Sequence, residues 1–220
     1  SAGWHSFSSY WGGTAFKDPG TVERVLARAN NPSETLNLAR NFRHYGVYVL
    51  HGDQDDNVPV EQARTMREVL GKFHPDFTYY ERPGAGHWWG NECVDWPPLM
   101  DFLRERARTA DAEARRVEFV TGDPGISSRS RWVEVLAQRK PLEYSKVLIE
   151  RDGAGAAFKG TTENVERLAL EVPGLGPGAK IAVELDGSKV EAVLGAGAAR
   201  VFLERGDIGW SQAAAPSPAL

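Results

Sequence analysis

VYVLHGDQDDNVPV, Val47 to Val60, decides the reading of the fold, together with RPGAGHWWG, Arg82 to Gly90. Val47, Tyr48, Val49 and Leu50 form a short apolar run rich in β-formers, the pattern of a parallel strand covered on both faces. The run stops at His51-Gly52. An acidic loop follows, Asp53-Gln54-Asp55-Asp56-Asn57, and Val58-Pro59 closes it. In an open α/β sheet, chemistry collects just past the carboxyl ends of strands. A carboxylate there, with a histidine past the next strand, gives the last two members of a Ser-His-Asp relay in the chain order Ser…Asp…His. Asp55 and His87 stand at those two places.

On the carboxyl side, Val60 to Phe73 reads as a helix. Ala63, Met66, Val69, Leu70 and Phe73 make one apolar stripe, and Glu61, Arg64, Arg67, Glu68 and Lys72 lie off it. Phe77 to Tyr80 is the next strand. A further helix is expected from Asp95 as N-cap, with Pro97 in its first turn and Leu99, Phe102 and Leu103 toward the core. On the amino side, Thr21 to Ala29 has helical spacing at Val22, Val25, Leu26 and Ala29. Ser33 is placed to cap a second short helix through Leu38. Trp4, Phe7, Tyr10, Trp11, Gly12, Gly13 and Phe16 form an aromatic, glycine-rich loop, either a packed surface loop or a wall of a substrate pocket. The strand–helix–strand–helix series predicts a parallel sheet with flanking helices.

Thr109 to Arg116 is polar and reads as a linker, after which the period changes. Leu168, Leu170 and Val172 alternate with Ala169 and Glu171, and Ile181, Val183 and Leu185 alternate with Ala182 and Glu184. Period-two runs between Gly, Pro and Asp-Gly turns indicate antiparallel sheet, and Asp186-Gly187 is a tight-hairpin signal. About seven short strands are expected between Val117 and Trp210, in a β-sandwich. Ala213 to Leu220 reads as an exposed tail.

HGDQDDNVP followed by GAGHWW resembles the end of the catalytic domain of the prolyl oligopeptidase family, a branch of the α/β-hydrolases. In that family the strand ends in HG-x-x-D-x-x-V, and the histidine follows the next strand in a G-x-x-H or G-x-G-H turn. The resemblance covers roughly residues 1 to 108. It implies that Asp55 is the triad acid, that His87 is the base toward a serine, and that the substrate is a peptide or an ester. It also implies a fold: a partial α/β-hydrolase domain at 1–109. A linker at 110–116, an all-β, sandwich-like domain at 117–212 and a tail at 213–220 would complete the chain.

One element of the resemblance is missing. No G-x-S-x-G occurs in the 220 residues. Gly209-Trp210-Ser211-Gln212 comes nearest, but it lies after the histidine with no helix pattern behind it. The chain opens at Ser1 without methionine. The expectation is therefore a piece of a longer serine hydrolase, cut after the nucleophile strand and inactive by itself. An esterase that does not cleave peptides, and a non-catalytic scaffold or binding protein with a degenerate hydrolase half, are the competing readings. The β domain would serve as a module for carbohydrate or protein, or as a spacer.

Other groups in the loop have plainer readings. Asp53 and Asp56 compete with Asp55 for the acid role; Asp56 is suited to ordering the loop or capping the next helix. The three aspartates are not followed by a D-x-D-x-D-G loop, so neither a metal nor another cofactor is expected. His51 precedes a glycine turn and reads as structural. Trp88 and Trp89 would line a pocket or fill the core.

Composition bounds the class. With 41% hydrophobic and 25% charged residues the chain is an ordinary globular sequence, and its net charge of −4 argues against a general nucleic-acid binder. Basic residues between Arg104 and Arg116 are interleaved with Glu105, Asp111 and Glu113. No apolar run approaches the ~18–20 residues that span a bilayer. Cys93 is alone, which excludes an internal disulfide framework and a cysteine metal site.

Overall fold

In the computed structural model, residues 3–10 and 20–216 are described. Trp11, Gly12, Gly13 and Phe16 of the aromatic loop, and residues 217–220 of the tail, lie outside them. The chain divides into two units, Ser1–Arg108 and Thr109–Leu220.

The first unit runs through Phe7–Tyr10 (α1), Thr21–Ala29 (α2), Thr35–Leu38 (α3), Val47–Gly52 (β1), Glu61–Gly71 (α4), Phe77–Arg82 (β2) and Pro97–Arg104 (α5). Short 3-10 turns cover Asn31–Ser33 and Ala39–His44. β1 and β2 pair in parallel, from Val47 opposite Phe77 to Gly52 opposite Arg82. The crossover between them is α4, which buries Ala63 and Leu70 of its apolar stripe. Leu50, Val58, Val60, Ala85 and Phe102 complete this small core.

The expected α/β-hydrolase sheet is not found. Among the described residues this unit holds one β–α–β element and two parallel strands, and the protein is mostly β. The physical reason is that parallel pairing needs a crossover and a fresh apolar run for every added strand. Val47–Leu50 and Phe77–Tyr80 are such runs, whereas residues 20–44 form helical turns instead. Coverage is also thinner than two flanked faces would give: Val47, Tyr48, Val49 and the whole of β2 are only half-buried. α2 has its apolar spacing but buries none of it, with Val22 67% and Leu26 51% exposed. In α5, Phe102 is buried while Leu103 faces solvent. Ser33 lies within a 3-10 turn rather than capping a helix, and Trp96, not Asp95, precedes α5.

The second unit has ten strands among the described residues. They are Arg116–Thr121 (β3), Arg129–Ser130 (β4), Val133–Gln138 (β5), Ser145–Arg151 (β6), Ala157–Glu163 (β7), Val165–Glu171 (β8), Lys180–Leu185 (β9), Ser188–Val193 (β10), Arg200–Gly206 (β11) and Gly209–Ala213 (β12). They form two five-stranded sheets, ordered β10-β9-β7-β6-β3 and β12-β11-β8-β5-β4. All pairs are antiparallel except β7 with β9. Val117, Ile149, Ile181 and Leu185 of one sheet share a core with Val133, Leu168, Leu170 and Leu203 of the other. About seven strands were expected because β4 is only two residues long, and β7 and β10 are polar on one face and poor in apolar alternation.

Asp186 and Gly187 join β9 to β10 with φ of 51° and 84°, as a two-residue hairpin with both central residues left-handed requires. The Asp186 carboxylate also accepts hydrogen bonds from the Thr162 backbone N–H (2.7 Å) and Thr162 Oγ1 (2.6 Å). Arg205 Nη1 and Trp210 Nε1 donate to it at 2.9 Å each, so one turn residue ties the two sheets together. The segment read as a linker is held to this unit. Arg151 donates to the carbonyls of Asp111 (2.7 Å), Ala112 (2.6 Å) and Ala114 (3.0 Å), and Trp132 Nε1 reaches Ala114 O at 2.9 Å. Among the described residues no helix is long and apolar enough to cross a membrane.

Candidate functional site

Two loops leave the carboxyl ends of β1 and β2 and are joined backbone to backbone. Asp53 N–H donates to Arg82 O at 3.1 Å, and Gln54 N–H to Ala85 O at 2.9 Å. Asp53 Oδ1 accepts from Gly84 N–H at 2.7 Å, where Gly84 turns with φ of 71°. Gly52 makes this closeness possible. A Cβ on it would lie 2.3 Å from Ala85 O and 2.4 Å from Gly86 O. The next residue after this contact is His87, so the glycine at the end of β1 determines how near the imidazole comes to the acidic loop.

The Asp55 carboxylate is fully buried, 0% exposed. Its Oδ1 accepts from Asn57 N–H (2.9 Å) and Val58 N–H (2.8 Å). His87 Nδ1 lies 3.1 Å from Oδ1 and 3.0 Å from Oδ2. His51 Nε2 approaches Oδ2 at 3.2 Å. Burial by itself would raise the carboxyl pKa, but the Val58 N–H, His87 and the Asn57 N–H outweigh it and hold Asp55 below the usual carboxylate range. An ionised carboxylate only accepts, so His87 carries a proton on Nδ1 and turns Nε2 away from Asp55.

The His87 side chain is 21% exposed, enough to reach a reactant. Trp88 is 77% exposed and stands edge-on to the imidazole at 5.7 Å between ring centres. Trp89 is packed: it lies against Trp96 at 5.9 Å, with the Arg82 guanidinium 5.0 Å above its ring. Asp53 serves the loop junction, and Asp56 is exposed. The loop is ordered by Asp55 itself and not by Asp56, and α4 begins without a side-chain cap. Among the described residues no serine hydroxyl or cysteine thiol is hydrogen-bonded to His87. Ser211 lies in β12 of the second unit. Among the described residues no group of three or more His, Cys, Asp or Glu could hold a metal ion.

Sequence reasoning brought out Asp55 and His87, and the structure brings them together. It read His51 as structural and gave Gly52 no part in the site, although the His-Gly pair at the end of β1 was in view.

No family model matches the chain. No solved structure matches it either. It is similar to an uncharacterized secreted protein of Arthroderma benhamiae, 29% identical over 157 residues, which is 69% of this chain. The match spans 17% of that protein's length.

Proposed function

We propose that residues 47–90 supply the acid and the base of a serine-type hydrolase, of the peptidase kind that the prolyl oligopeptidase resemblance implies. The nucleophilic serine would be carried outside these 220 residues. The observation that supports the reading is the buried Asp55 carboxylate 3.0 Å from His87 Nδ1, with the His87 side chain 21% exposed. In the proposed cycle, His87 Nε2 takes the serine proton as the oxygen attacks the acyl carbon. It then returns that proton to the departing amine or alcohol. Asp55 holds the Nδ1–H tautomer and stabilises the imidazolium. A peptide bond or an ester is the substrate. The likeness to a secreted protein supports secretion here too.

A non-catalytic scaffold is the second reading. It is favoured by one observation, that no hydroxyl is hydrogen-bonded to His87 among the described residues.

The test is turnover of peptide and short-ester substrates by the whole protein. His87→Ala should lower it by several orders of magnitude. Asp55→Asn should cost about 10⁴-fold with the fold retained, and Asp53→Asn and Asp56→Asn far less. Asp55→Asn added to His87→Ala should do little more, since the two act as a unit. The 220-residue chain alone should not label with a fluorophosphonate. If none of these substitutions changes turnover, the scaffold reading replaces this one.

A further inference from the structure

His51 is the penultimate residue of β1, four residues before Asp55, and its side chain is 1% exposed. Nε2 lies 2.9 Å from the Val58 carbonyl oxygen and 3.2 Å from Asp55 Oδ2. A carbonyl oxygen can only accept, so Nε2 carries a proton and donates it to Val58 O, and Asp55 Oδ2 lies beside the same N–H. Val58 in turn donates its N–H to Asp55 Oδ1 at 2.8 Å. His51 is thus hydrogen-bonded to Val58, Val58 to Asp55, and the ring nitrogen of His51 comes back to 3.2 Å from Oδ2 inside one loop. Oδ1 is held by two backbone N–H groups, and Oδ2 faces the His51 N–H at 3.2 Å, so both oxygens have a polar hydrogen beside them. A histidine needed only to anchor the loop would be satisfied by Val58 O. The second contact, on the oxygen that also faces His87, is what a loop anchor does not require. Among the described residues His51 and His87 are the titratable groups that face the Asp55 carboxylate, at 3.2 and 3.0 Å.

The geometry points to His51 as a positioning residue for the Asp55–His87 pair. Its Nε2–H, 3.2 Å from Oδ2, orients the carboxylate so that Oδ2 stays on His87 Nδ1. Its effect on turnover rests on the hydrolase reading above, whereas its effect on the pair does not.

Two variants of the 220-residue chain test this, His51→Leu, which removes the donor, and His51→Gln, which keeps an N–H donor of similar reach. Side-chain proton–nitrogen NMR reads the His51 tautomer and the solvent exchange of the His87 Nδ1 proton. The wild type should show His51 protonated on Nε2. In His51→Leu the His87 proton should exchange at least about tenfold faster, the scale of one hydrogen bond to a charged group. His51→Gln should stay within about threefold of wild type, because most of that bond is restored. In the whole protein, His51→Leu should lower kcat by about 10- to 100-fold with KM unchanged, and His51→Gln should recover most of it.

The assignment is overturned if folded His51→Leu exchanges at the wild-type rate, or if folded His51→Gln is as fast as His51→Leu. It is also overturned if neither variant folds, which would make His51 a residue of the fold alone. Should the whole wild-type protein prove inactive as a hydrolase, the exchange data still decide the role of His51, and only the proposed function falls.

Discussion

Replacing Gly52 by alanine would set a methyl carbon 2.3 Å from Ala85 O and 2.4 Å from Gly86 O, where real Cβ contacts essentially never come under 3.0 Å. Both obstacles are backbone atoms, so no side chain can swing away. The 85–86 turn must therefore retreat by at least about 0.7 Å, the shortfall between those contacts. His87 follows directly in sequence and moves with the turn. Its 3.0 Å hydrogen bond to Asp55 Oδ2 would stretch to about 3.7 Å, beyond hydrogen-bonding range. The fold should survive, because overpacking of this kind costs about 1–3 kcal/mol. The chemistry should suffer more: a displacement on the order of 1 Å in a reacting group costs about 10²-fold in rate. The assays are urea unfolding and the His87 Nδ1–H exchange rate on the 220-residue chain, with turnover on the whole protein. A Gly52→Ala chain of wild-type stability, with the His87 proton still protected, would refute the claim that this glycine sets the distance between the two loops.

Two further outcomes are expected in the second unit. Asp186→Ala should lower its stability by about 3 kcal/mol in urea unfolding, since it strands the Thr162, Arg205 and Trp210 donors. Burial pushes the Asp186 carboxyl up, but Thr162, Trp210 and Arg205 pull it down further, so its folded pKa lies below the ordinary value. Its contribution is then complete above the unfolded value of about 4 and is lost as pH falls through the lower folded value. A melting series from pH 7 downward should fall more steeply for wild type than for Asp186→Asn, and parallel curves would contradict this. Arg151→Met should keep the packing against Trp132 while freeing the carbonyls of Asp111 and Ala112 and leaving Ala114 O to Trp132 Nε1, at about 2–4 kcal/mol. Limited proteolysis should then cut at 109–114, and an uncut segment would show that other contacts hold it.

Local chemistry was legible in the sequence. The span Val47–Gly52, the crossover helix at Glu61–Gly71 and the second strand at Phe77–Arg82 follow from short-range apolar spacing, and Asp186-Gly187 from turn chemistry that involves two residues. Asp55 and His87 were legible because a strand end, a loop and a glycine turn at one-helix spacing bring a carboxylate and an imidazole to the same edge. Tertiary structure decided the rest, since it depends on contacts between distant residues. How many parallel strands join β1 and β2 is not written in either strand, and among the described residues the pair stays two-stranded. Arg151 meets the backbone of Asp111 across 40 positions, so a polar stretch that looked like a tether is bound to the second unit. Gly52 matters because the backbone of residues 85–86 folds onto it. His51 matters because the loop curls until Asp55 Oδ2 lies 3.2 Å from its ring nitrogen, a proximity that no spacing rule encodes.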